Sequence, residues 1–157
     1  MTARETDLLA LTFEALSAVL VGADDALALL GPLPAAAADL VALGPIQRTA
    51  ARALLKAVEQ SQDLLARLFR TFLIAEQIDV SSLTSRDIAQ QMVRLGLLAD
   101  AERWSALVRL RNRLAHEYPL APPAQLQRLG DAVAAIPELQ AIRGTVRGAL
   151  QHRGYLP

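Results

Sequence analysis

The chain contains no cysteine, which excludes disulfides, thiolate nucleophiles and Cys-ligated zinc. Histidine is nearly as scarce. His116 and His152 stand far apart in the sequence, so a His-rich metal site is not expected. No stretch carries a strand pattern of useful length, an internal repeat or a low-complexity linker. P-loop, Rossmann, nucleophile-elbow and metalloprotease motifs are missing as well. No apolar run reads as both long enough and free enough of charge to span a membrane. Arg4, Glu5 and Asp7 leave no signal-peptide pattern at the start, so a cytoplasmic protein is expected.

What remains is helical. Of 157 residues 53% are hydrophobic, which argues against disorder and for one domain with a substantial core. Leu8, Leu9, Thr12, Leu16, Val19, Leu20, Ala23, Leu27 and Leu30 recur three and four apart, predicting a helix over 6–30. Gly31-Pro32-Leu33-Pro34 is a turn, and a short helix is expected over 35–43. The longest helix should run over 46–78, with Ile46, Ala50, Ala53, Leu54, Ala57, Val58, Ser61, Leu65, Leu68, Phe72 and Ala75 on its buried stripe. Arg48, Arg52, Lys56, Glu59 and Asp63 read as its solvated face. Thr84 suits the N-cap of a shorter helix that ends before Gly96. Asp100 suits the next cap. Pro122-Pro123 opens a last helix that Pro137 should kink or break. Residues 151–157 read as a frayed tail. The expected fold is an all-α bundle of about five main helices.

Net charge is zero but unevenly spread. Residues 1–45 carry one basic and six acidic side chains; residues 120–157 carry four arginines and two acids. The C-terminal third therefore leans mildly towards an anionic partner, too weakly to argue nucleic acid by itself.

One stretch concentrates polar chemistry: Arg111-Asn112-Arg113-Leu114-Ala115-His116-Glu117-Tyr118-Pro119. At about 100° per residue, Trp104, Leu107, Val108, Leu114 and Ala115 share a stripe that also takes in Arg111 and Tyr118. Pro119 should end the helix near Tyr118. An imidazole near neutrality can take the proton of a ribose 2′-hydroxyl or protonate a leaving 5′-oxygen. A guanidinium can hold two phosphate oxygens, and Asn112 can orient the imidazole or the substrate. None of this needs a metal or cofactor. Arg111 and His116 lie about 140° apart on the helix, so one chain alone does not aim both at one point. A two-fold pairing of these helices would. Arg109 and Arg113 suit either substrate phosphates or plain solvation. A structural reading stands beside this one. Arg111 would pair with Glu59, Asp63 or Glu76, the helix dipole would favour His116, and the Tyr118 ring would pack on the core. On spacing alone the structural reading carries more weight.

The residue string shifts that balance. Arg111-Asn112-Arg113-Leu114-Ala115-His116-Glu117-Tyr118 resembles the R-x4-H-x-Y signature of HepT-like proteins of the HEPN superfamily. The motif also falls near the end of the penultimate long helix, as it does in that family. The resemblance implies a dimeric, metal-independent endoribonuclease with its cleft at the dimer interface. Arg111 and His116 would be the catalytic pair, with Asn112 in support. It further implies the toxin of a toxin–antitoxin pair, whose nucleotidyltransferase-fold antitoxin silences it by attaching AMP to the motif tyrosine, here Tyr118. Two features depart from the pattern: Pro119 stands where a polar residue is expected, and residues 23–45 are rich in alanine and proline. The competing readings are a non-catalytic HEPN nucleotide- or partner-binding module beside a nucleotidyltransferase, and a purely structural bundle.

Overall fold

The computed structural model describes residues 3–157, and every regular element among them is an α-helix. Five long helices and one short one follow in order: α1 (Ala3–Leu30), α2 (Ala37–Val41), α3 (Pro45–Ala75), α4 (Ser85–Arg94), α5 (Ala101–His116) and α6 (Pro122–His152). The chain is thus the expected all-α bundle.

Helix α3 is its spine. Pro45 takes the first turn, where a missing N–H costs nothing. From there Leu54, Val58, Leu65, Leu68, Phe69 and Phe72 are fully buried. Helices α1, α4, α5 and α6 all pack on it. The buried stripe of α1 is Leu9, Phe13, Leu16, Leu20, Ala23 and Leu30. Yet Arg4–Leu30 is long and apolar enough to cross a bilayer, with an 18-residue window of mean hydropathy 1.5 inside it. The sequence reading missed this, because Asp7, Glu14, Asp24 and Asp25 are spread so thinly along it. In the bundle its apolar stripe is spent on α3.

Local signals fix the ends of α4 and α5. The Thr84 hydroxyl accepts from the Asp87 N–H, and the Asp87 carboxylate accepts from the Thr84 N–H at 2.9 Å, a reciprocal capping box. Gly96 follows α4 with φ +79, a left-handed turn that needs no Cβ. Asp100 accepts from the backbone N–H groups of Glu102 and Arg103 at 2.8 and 3.3 Å.

Near the C-terminus one expectation is narrowed and another fails. Helix α6 runs unbroken through Pro137. Pro137 is exposed, so the turn that loses a hydrogen bond faces water, while buried Ile136 and Leu139 hold the helix to the core. The tail is docked rather than frayed. Gly154 turns it with φ +75, and Tyr155, only 7% exposed, packs edge-on against Phe72. The Tyr155 hydroxyl donates to Glu76 Oε1 at 2.7 Å, and Arg153 donates to the Leu95 carbonyl at 3.0 Å.

Burial, and then the bond to Glu76, push the Tyr155 phenol up to about 12. The folded state therefore holds the phenolic proton that the unfolded chain gives up near 10. The stabilisation is complete below pH 10 and disappears between pH 10 and 12. Tyr155→Phe is expected to cost about 1 kcal/mol at neutral pH and to flatten that alkaline decline in urea titrations. An unchanged pH profile in the variant would show the decline to arise elsewhere.

Candidate functional site

Helix α5 presents the motif. Its buried line is Trp104, Leu107, Leu110 and Leu114, which keeps three residues of the predicted stripe and takes in Leu110, while Val108 and Ala115 are only half-buried. Arg111 consequently sits at the edge of this line, its side chain 25% exposed, rather than amid the apolar face. Trp104 meets Phe69 of α3 edge-on at 5.0 Å and fixes the two helices side by side.

That packing brings Arg111 against Asp63. The guanidinium donates from Nε at 2.8 Å and from Nη2 at 3.0 Å to the two carboxylate oxygens. This is a bidentate fork, the strongest geometry open to the pair. The bond pushes the guanidinium further up, so Arg111 is charged at all working pH values. Its remaining edge points elsewhere: Nη1 donates to Asn112 Oδ1 at 3.5 Å. Arg111, Asn112 and Asp63 line a cleft of about 220 Å³ between α3, α4 and α5, floored by Phe69, Trp104 and Ile88.

His116, the last residue of α5, is exposed, and its side chain makes no hydrogen bond or ion pair with any described residue. It does not line the Arg111 cleft. Asn112 bonds Arg111, not His116. A single chain therefore does not bring the two motif side chains to one point, as the angle along the helix predicts. Arg109 is exposed. Arg113 reaches Asp131 of α6 at 3.9 Å, with both side chains well exposed, an ion pair of small energetic weight.

Tyr118 lies elsewhere than the sequence suggests. The helix ends at His116, because Glu117 already has an extended backbone (φ −102, ψ 128). Tyr118 thus leaves the helical register that would have put it near Arg111. Its ring is 74% exposed, its hydroxyl donates to the Ala115 carbonyl at 2.9 Å, and the Arg128 guanidinium lies 5.5 Å over it. Tyr118 lines a different cavity, together with Arg48, Arg52, Lys56 and Arg128. From sequence the three α3 cations read as part of a solvated face. Their four-residue spacing was the signal that they share one side of the helix.

Among the described residues no cluster of His, Asp and Glu is suited to hold a metal ion. No family model, no curated protein and no solved structure matches the chain.

Proposed function

We propose that the chain is a metal-independent endoribonuclease, the toxin of a HepT-type toxin–antitoxin pair, acting in the cytoplasm as a two-fold dimer of HEPN-like bundles. One observation carries the reading: a clamped, permanently charged Arg111 and a free, exposed His116 stand on the same helix about one and a half turns apart. Fixed charge and a free imidazole are what phosphodiester cleavage asks of its two groups. In the dimer, α5 of one protomer lies against α5 of its partner, so that both pairs face one cleft.

The reaction follows from the groups. His116 takes the proton of the ribose 2′-hydroxyl, and the 2′-oxygen attacks phosphorus. The 5′-oxygen leaves with a proton from an imidazole, giving a 2′,3′-cyclic phosphate and a 5′-hydroxyl. Arg111 stabilises the phosphorane through the edge not used by Asp63, and Asn112 supports that edge. Arg109 and Arg113 extend the phosphate track. The partner is a nucleotidyltransferase-fold antitoxin, which transfers AMP from ATP to the Tyr118 oxygen, the α–β phosphoanhydride bond breaking to release pyrophosphate and the phenolic proton passing to solvent. The exposed Tyr118 ring, with the hydroxyl proton turned to Ala115, leaves the oxygen lone pairs outward.

A second reading has its own support. The bidentate Asp63 contact occupies two Arg111 donors and balances its charge, which suits a non-catalytic HEPN module that binds a nucleotide or partner beside a nucleotidyltransferase.

Induced expression in a bacterial host separates them. The ribonuclease predicts growth arrest and RNA fragments ending in cyclic phosphate, both lost in Arg111→Ala at equal soluble protein. Undisturbed growth and intact RNA with soluble wild-type chain would favour the binding module.

A further inference from the structure

A larger cavity, about 650 Å³, lies apart from the Arg111 cleft and shares no lining residue with it. It opens between α2, α3, the end of α5 and the start of α6. Its volume falls in the range of small-molecule sites.

Four cations line it, Arg48, Arg52, Lys56 and Arg128, against the single acid Glu59. In a chain without net charge this is a strong local excess. Arg48, Arg52 and Lys56 follow one another four residues apart along α3. Arg48 is steadied by the Leu43 carbonyl at 2.8 Å, and Lys56 by Glu59 at 3.0 Å. Arg52 is exposed and has no partner among the described residues. Leu40, Leu43, Leu55 and Leu114 supply an apolar floor.

Tyr118 closes one side. Arg128 covers one face of its ring and is anchored by a 2.6 Å bond to the Leu114 carbonyl. Gln125 donates to the Pro119 carbonyl at 3.0 Å and ties down the loop that carries the ring. A tied-down, mostly exposed aromatic ring backed by a guanidinium is a stacking platform for a planar π-system.

We infer that this cavity binds a phosphorylated nucleoside, its base stacked on Tyr118 and its phosphate held among Arg48, Arg52 and Lys56. An acidic peptide would satisfy the cations but not the open aromatic face. The inference does not rest on the ribonuclease reading, because no residue of the Arg111 cleft takes part. Two sources share the chemistry, a free mononucleotide and one nucleotide of an RNA strand.

Calorimetric titration of the His116→Ala chain tests it without turnover, using adenosine 5′-monophosphate and a short 5′-phosphorylated single-stranded RNA as probes. Binding should weaken about tenfold or more in Arg52→Glu and in Tyr118→Ala. It should not change in Arg86→Ala, an exposed arginine of α4. Circular dichroism and thermal midpoints check that each variant is folded. Binding of the monophosphate with this sensitivity assigns a free-nucleotide pocket. Binding of the RNA alone, with the same sensitivity, assigns a strand subsite. The inference is overturned if neither probe binds, if Arg52→Glu and Tyr118→Ala bind as tightly as the parent, or if an acidic peptide binds and the nucleotides do not.

Discussion

Replacing His116 with alanine is expected to slow RNA cleavage by about 10²–10⁴-fold, the range that a positioned general acid–base group contributes. The expectation is sharp because little else depends on this side chain. It is exposed and makes no bond within the chain, so its loss should change stability by less than about 0.5 kcal/mol. Helix content, thermal midpoint and sedimentation should match those of the parent. The measurement is the initial rate on total RNA with purified protein at equal concentration. A variant that cleaves as fast as the parent removes His116 from the chemistry, and the ribonuclease reading with it. Arg111→Ala is a less clean companion, since it strips Asp63 of its fork and disturbs the α3–α5 contact as well.

The second large effect is on stability. Phe69 is fully buried on the spine helix and meets Trp104 edge-on at 5.0 Å. Phe69→Ala removes a ring from the seam that sets α5 on α3. The expected cost is about 3–5 kcal/mol, which for a chain of this size lowers the thermal midpoint by roughly 10 °C. Trp104 is the sole tryptophan, so its emission reports on that seam directly and should shift to the red. A loss below about 1 kcal/mol would mean that the seam repacks, and that Arg111 is placed by its ion pair rather than by the ring contact.

The parts of this architecture that could be read from sequence are those decided by neighbours in the chain. Thr84, Gly96 and Asp100 act within a turn of themselves, and each sits where its chemistry places it. The spine of α3 repeats its apolar residues often enough that its stripe is right except for Ile46, at the helix start, and Ala53, both of which are exposed. Errors arose where one residue had to stand for a whole face. Trp104 marks the edge of the buried stripe of α5 rather than its centre, so Leu110 was missed and Arg111 was drawn too far inward. The α5 terminus moved too: the chain becomes extended at Glu117, two residues before Pro119, and this parts Tyr118 from Arg111. Asp63 was one of three acids the sequence offered to Arg111, and only the relative placement of α3 and α5 selects it. The cation-lined cavity draws on four elements, so no local pattern contains it. That Pro137 does not break α6 has a related reason: the penalty of a proline depends on which side of the helix meets water.

The docked tail also bears on how the molecule assembles. The Tyr155–Glu76 bond joins positions 79 residues apart. Closing so long a loop costs entropy that no local contact repays beforehand. The bundle of α1 and α3, joined by residues 31–44 with α2 among them, is far closer in sequence and is free to form first, and the clasp at Glu76 closes over it afterwards. Contacts made last in this way leave the folding rate almost untouched and act as a brake on opening. The C-terminal residues thus govern how long the folded chain lasts more than how fast it forms.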